Sequence, residues 1–286
     1  VGKSKIPLPI LQFYRGIKGS NNLCGSKIRI ADFSPFRLYR KKNCDKLWLN
    51  QDQKKYIMNV ITFILAGGQG KRLRPLTFAI PKPLLPIKEK PIVEVMLQKL
   101  KNYNLTDIIF SLGYKGFLIE NYFRNGRTFG LNIRYSYEEE TLGTCGPLTL
   151  IKDLVNSEDV ILVINGDIIT NLNFTKFINA FKTQEHDLMI GVKSYKHKVP
   201  FGVIDLKDNQ FNGIIEKPEK KVLISTGIYL LKAGLLPRIP TGRKYDMTDL
   251  ISDLHREGKS IGVYKIKEMW KGIENLDDLN YIRKRT

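Results

Sequence analysis

The chain of 286 residues has little cysteine, histidine or tryptophan: three, three and two residues. Cys24, Cys44 and Cys145 are odd in number and widely spaced, which excludes a disulfide framework and a four-thiolate zinc site. His186, His197 and His255 show no metal-ligand spacing and read as surface or packing residues. Long apolar runs are missing too. The longest, Val60–Ala66, has seven residues, against the roughly 20 that a membrane-crossing helix needs. No integral membrane helix is therefore expected. Acidic residues are the last shortage: 28 Asp and Glu face 47 Lys and Arg, a formal charge of +19. What is present is ordinary globular composition, 42% hydrophobic and 26% charged, on a chain long enough to bury a large core.

The charge divides unevenly. Residues 1–59 hold 13 basic and 3 acidic residues, a net +10, and residues 60–286 carry the remaining +9. Pro7, Pro9, Gly16, Gly19, Gly25 and Pro35 interrupt the first segment, and no helical or strand period persists there. It reads as a basic, poorly structured arm or linker, with one short strand or helix turn near Lys27–Ala31. Two prolines break Ile6–Leu11, so a secretory signal is not expected and a cytoplasmic location is. The tract Arg37–Lys42 mixes aromatic and basic residues, a low-specificity pattern that suits a solvated arm better than a nucleic-acid partner.

From residue 60 the pattern changes. Val60–Ala66 is rich in β-branched residues and apolar on both faces, as a central parallel strand covered by helices must be. Further strands are expected at Asp107–Gly113, Val160–Asn165, Asp187–Val192, Thr226–Leu231 and Ile261–Ile266. Helices are expected at Ile92–Tyr103, Gly116–Arg124, Phe174–Phe181 and Asp246–Glu257, and a hairpin joins Val203–Leu206 to Phe211–Glu216. Alternating strands and helices imply a doubly wound sheet, whose ligands lie beyond the carboxyl ends of its strands. Two loops fall there, Gly67–Arg74 and Asn165-Gly166-Asp167, so both can face one cleft.

In the first loop, Gly67, Gly68 and Gly70 bring backbone N–H groups close to a ligand because no side chain intervenes. Lys71, Arg72 and Arg74 set cations over the same point, as a triphosphate requires. The spacing is neither a Walker loop nor a dinucleotide fingerprint. Pro81 and Pro83 hold Lys82 on a stiff segment expected to be extended. Asp167 ends an apolar strand with a carboxylate, suited to Mg²⁺, which takes one or two carboxylates plus phosphate oxygens.

Together Leu65-Ala-Gly-Gly-Gln-Gly-Lys-Arg-Leu-Arg-Pro-Leu-Thr77 and Pro81-Lys-Pro-Leu-Leu-Pro86 resemble the signature of the sugar-1-phosphate nucleotidylyltransferases. Leu142-Gly-Thr-Cys-Gly146, Asn165-Gly-Asp167, Glu216-Lys-Pro218 and Gly227-Ile-Tyr229 follow in that family's order, so the likeness spans nearly all of residues 60–286. The resemblance implies an α/β fold, a Rossmann-like three-layer sandwich with a mixed, mostly parallel sheet. It also implies transfer of a nucleoside monophosphate from a nucleoside triphosphate to a sugar 1-phosphate, with Mg²⁺ as cofactor and pyrophosphate as the second product. Carried over by position, Leu65 and Gly67 contact the nucleoside, Gly143 lets the backbone approach the base, and Arg72 grips the pyrophosphate. Lys82 steadies the α-phosphate region, Asp167 binds Mg²⁺, Glu216 and Lys217 hold the sugar and its phosphate, and Thr226 and Gly227 line the sugar pocket. Glu138 stands where thymidylyl members place a base-reading glutamine. A carboxylate accepts hydrogen bonds and donates none, which suits the N1–H and amine edge of guanine, so GTP is favoured. The subgroup implied often carries paired regulatory modules upstream, for which residues 1–59 are too short. Self-association stays open.

One departure stands out. The family's site usually closes with Trp-x-Asp-Ile/Val-Gly, whose aspartate is a second metal ligand, whereas this chain reads Trp270-Lys271-Gly272-Ile273-Glu274. Glycine stands for the aspartate, and Glu274 follows two residues later. Two expectations follow: an enzyme with Glu274, water or phosphate oxygens completing the metal shell, or an impaired homologue that binds nucleotide or sugar phosphate. Cys145, where alanine is usual, is expected to pack rather than react.

Overall fold

The computed structural model describes residues 59–285. The arm reading, the element near Lys27–Ala31 and the Arg37–Lys42 tract fall outside the described residues. The strands of three residues or more are Val60–Ala66 (β1), Asp107–Leu112 (β2), Asn132–Tyr137 (β3), Val160–Asn165 (β4), Ile168–Thr170 (β5) and Leu188–Lys198 (β6). Val203–Lys207 (β7), Gln210–Ile215 (β8), Glu219–Lys232 (β9), Ile261–Lys265 (β10) and Trp270–Gly272 (β11) follow. The longer helices are Ile92–Asn102 (α1), Gly116–Phe123 (α2), Phe174–Thr183 (α3), Met247–Arg256 (α4) and Leu276–Arg285 (α5).

Seven strands form one sheet in the order β10-β6-β9-β4-β1-β2-β3. Only β9 runs against its neighbours; the other four ladders are parallel. Side chains alternate across a strand, so β1 feeds two cores. Ile61 and Phe63 pack with Ile161, Val163, Leu250 and Leu254 on one face. Ile64 and Ala66 pack with Leu162, Ile164, Met96, Phe123 and Phe177 on the other. Both faces are therefore covered by helices, which is why β1 and β4 read as unbroken apolar runs. The expected α/β three-layer architecture is what the structure has. Among the described residues no helix is long and apolar enough to cross a membrane.

The chain leaves β1 for β2 on one side and later returns to β4 on the other, so the strand order reverses at β1. In such sheets the crevice at the reversal takes the ligand. Register aligns the two strand ends: Leu65 lies opposite Asn165.

Three features differ from expectation. Strand β3 and helix α5 carried no clear periodic signal, being half-polar segments that pack on one side only. Strands β6 and β9 outrun their apolar cores because their polar ends pair with each other, Tyr195 with Val222 and Lys198 with Glu219. Backbone bonding, not burial, extends them. Beyond them the β7–β8 ribbon pairs only within itself and leaves Phe201 and Phe211 about 70% exposed.

Phe110 is fully buried and stacks on Phe123 and Tyr135, with centroids 5.8 and 6.0 Å away. Phe110→Ala is expected to cost about 3–5 kcal/mol through lost contacts and the cavity left behind. Denaturant titration should show this as a lower midpoint at unchanged slope.

Candidate active site

The glycine loop is anchored by one buried side chain. After Gly70 the chain makes a 3₁₀ turn, Lys71–Leu73, in which Leu73 is fully buried with Leu85, Ile273 and Leu279. Thr77 Oγ1 donates to the Gly70 carbonyl at 2.9 Å. With the backbone so fixed, Arg72 is free to project its guanidinium, which is 76% exposed. Lys82 differs from the expected extended segment: Pro81 is extended, but Lys82–Leu84 forms a second 3₁₀ turn. Pro83 fits there because its ring holds a helix-like φ and that turn asks for no N–H at this position.

Two cavities open at the carboxyl ends of β1 and β4. The first, about 540 Å³, is lined by Leu65, Gly67, Gly68, Gly70, Lys82, Glu138, Gly143, Asn165 and Asp167, among others. Glu138 is held from two sides: Ser111 Oγ donates to Oε1 at 2.7 Å and the Leu142 N–H donates to Oε2 at 3.1 Å. Its carboxylate lies so near Gly67 that a Cβ there would stand 2.6 Å from Oε1. Gly143 sits beside the start of α4, where Asp246 accepts from the Thr144 N–H at 2.9 Å.

The second cavity, about 550 Å³, is lined by Asn165, Asp167, Lys193, Thr226, Gly227, Trp270, Gly272 and Glu274 among its walls. Gly227 marks a register shift between Ser225 and Tyr229 in β9. Its φ is +71°, and a Cβ would meet Asn165 Nδ2 at 2.5 Å, so this position takes glycine alone. Thr226 is buried, donating to the Gly191 carbonyl at 2.7 Å, while its own carbonyl accepts from Trp270 Nε1 at 3.0 Å.

Asn165 and Asp167 belong to both cavities. There the Asp167 carboxylate pairs with the Lys82 ammonium, whose side chain is only 13% exposed. Glu274 Oε2 stands 3.8 Å from the same ammonium and accepts from Arg72 Nη1 at 2.7 Å. A smaller space beside them is lined by Gly70, Lys71, Arg72, Lys82 and Glu274. Gly272 pairs with Ile168 across β5 and β11, and a Cβ on it would meet only the Trp270 ring, at 3.7 Å. Lys271 turns instead to Asp278, which burial alone would make a weaker acid; that lysine and the N–H groups of Glu274 and Asn275 hold it below its ordinary value.

Most of the expected site residues thus gather around one point, but Glu216 and Lys217 do not. They lie at the ribbon's exposed base, 3.5 Å from each other, and line neither cavity. Burial pushes the Cys145 thiol well up, as a packing residue requires. His186 bonds Ser260 and Gln184, and among the described residues no group of three or more His, Cys, Asp and Glu is placed to hold a metal. The sequence reading names Glu274 for the metal shell but gives no individual role to Asn165 or Trp270. Their signal is positional, since each sits next to or inside a motif, and only the fold turns it inward.

A family model for nucleotidyl transferases matches residues 61–285. The chain belongs to the nucleotidyl transferase family. Relatives in that family carry the names of sugar-1-phosphate nucleotidyltransferases, the group that the motif order resembles. It is 30% identical over 233 residues, 75% of this chain and 60% of the relative, to a UTP–glucose-1-phosphate uridylyltransferase of Synechocystis. It is 34% identical over 183 residues, 62% of this chain and 51% of the relative, to a protein of Oryza sativa described as a probable mannose-1-phosphate guanylyltransferase. The chain therefore spans about half to three-fifths of the length of these curated relatives. Among solved structures, HddC of Yersinia pseudotuberculosis complexed with GMP-PN superposes with a TM-score of 0.63 at 25% identity, covering 80% of this chain and 99% of that one.

Proposed function

We propose that the chain transfers a nucleoside monophosphate, GMP preferred, from a nucleoside triphosphate to a sugar 1-phosphate. The observation that carries this is the meeting of two cavities at Asp167 and Lys82. In the proposed step a phosphate oxygen of the sugar phosphate forms a bond to the α-phosphorus. The bond from that phosphorus to the bridging oxygen breaks, and pyrophosphate leaves with the electron pair. The nucleophile is already an anion, so no general base is needed, and positioning and charge neutralisation do the work. Arg72 is set to hold the leaving phosphates and Lys82 the α-phosphate. Leu65, Gly67, Gly68, Gly70 and Gly143 shape the nucleoside side; Thr226 and Gly227 shape the sugar side. Glu216 and Lys217 reach the sugar phosphate only if the ribbon base moves toward the second cavity. Asp167 fits Mg²⁺ by its donor chemistry, an anionic oxygen facing the phosphate space. A cation held there supplies neutralisation of the developing phosphate charge.

The base preference rests on Glu138, since the relatives' names include both uridylyl and guanylyl transferases. Held by Ser111 and Leu142, its carboxylate presents only acceptors, matching the two adjacent donors of guanine. Glu138→Gln is expected to lower kcat/KM for GTP by roughly 10- to 100-fold and raise that for UTP. Competition between the two triphosphates in one assay measures this.

Gly272 favours a second reading, binding without turnover, because a side-chain carboxylate is absent where the family carries one. Pyrophosphate release with each of four nucleoside triphosphates and common sugar 1-phosphates, in Mg²⁺, decides. Turnover with any pair supports the enzyme. Triphosphate binding with no turnover in every pair leaves the second reading.

A further inference from the structure

The carboxylate missing at Gly272 has a counterpart two residues on. Strand β11 ends at Gly272, and Glu274 follows it directly beyond Ile273. The Ile273 N–H donates to the Asp167 carbonyl at 3.0 Å, which ties this segment to the loop bearing Asp167. The Glu274 N–H donates to Asp278 at 2.9 Å, which holds the next residue in place. From there the longer glutamate side chain reaches back, so that its carboxylate and that of Asp167 flank a single ammonium, Lys82 Nζ. We propose that Glu274 supplies the second carboxylate for the divalent cation of this site. In the structure described here, Lys82 and Arg72 hold the place of that cation and of the phosphates.

Charge arithmetic supports the exchange. Two carboxylates carry two negative charges, matched at present by one lysine and one arginine. With a triphosphate bound, Lys82 and Arg72 would pair with phosphate oxygens, and Asp167 and Glu274 would be left to hold the cation. Both carboxylates keep a cationic partner in either state, so neither state leaves a partly buried carboxylate unpaired. Oxygen donors and a two-carboxylate count suit Mg²⁺ or Mn²⁺, with phosphate oxygens and water completing the shell. The open space at Gly272 explains why its own side chain is dispensable: nothing collapses into it, and Glu274 borders the same cavity.

This inference rests on the nucleotidyl-transfer reading, and one titration separates the two. Mn²⁺ is titrated, with free ion read by electron paramagnetic resonance, into the full chain with α,β-methylene triphosphate analogues of the four bases. The expected result is that Glu274→Gln and Glu274→Asp each weaken Mn²⁺ binding to the analogue complex at least about tenfold. Adding Gly272→Asp to Glu274→Gln should restore most of it. If Glu274→Asp binds Mn²⁺ like the unmodified chain, the carboxylate acts only through its charge and the inference fails. It fails equally if Glu274→Gln leaves Mn²⁺ affinity unchanged, or merely tightens the analogue by freeing Arg72. If no analogue brings Mn²⁺ to the chain, the transferase reading falls and this inference with it.

Discussion

Asp167→Asn is expected to lower the rate of nucleotidyl transfer by about 10³-fold, close to 4 kcal/mol of transition-state stabilisation. Two consequences converge on this residue. Asparagine keeps the shape but loses the charge, so Lys82 loses the anion that now positions it in a space where its side chain is only 13% exposed. The change also removes the anionic oxygen offered to a divalent cation at the point where both cavities meet. Because neutralisation of phosphate charge is most of what this chemistry asks of a protein, little remains to compensate. Steady-state pyrophosphate release measures the loss, and an unchanged melting temperature shows that the fold persists. A rate within tenfold of the unmodified chain would remove Asp167 from the centre of the site.

Gly67→Val is expected to weaken nucleotide binding by at least about 100-fold, or roughly 3 kcal/mol. The cause is volume, not backbone strain. A Cβ at Gly67 would lie 2.6 Å from Glu138 Oε1 and 3.3 Å from the Gly113 nitrogen, and valine adds two methyl groups beyond it. To admit them, Glu138 would have to leave Ser111 and Leu142, vacating the position proposed to read the base. Gly68→Ala is the milder comparison, since a Cβ there meets no atom within 4 Å. Equilibrium binding of a fluorescent triphosphate to both variants tests the difference. Equal affinities would mean that neither Gly67 nor Glu138 contacts the nucleoside.

How far the sequence reached varies from residue to residue. Val60–Ala66 and Val160–Asn165 were legible to the residue because strands buried on both faces must be apolar throughout. Helix α1 was legible because one apolar face repeats at helical spacing. Lys193–Lys198 and Glu219–Leu223 were not, since they pair outside the core and polar residues suit them as well as apolar ones. Glu216 and Lys217 show the same limit from the functional side. A motif names residue types, but whether a flap carries them into a cavity depends on how strands bend away from the sheet.

By itself the sequence determined the α/β class, the two loops at the strand ends and a set of candidate residues, Leu65, Lys82, Asp167 and Gly227 among them, that line the two cavities. These are local properties, set by burial period, by glycine and proline geometry and by neighbouring charges. It also places glycine at 272, where the family it resembles carries an aspartate. Only the tertiary structure brings Glu274 beside the ammonium that Asp167 holds. Arg72 and Glu274 are 202 residues apart in the chain and Lys82 and Asp167 are 85 apart, yet all four meet. No local pattern encodes such a meeting, because it follows from strand order and from the turn that ties Ile273 to Asp167.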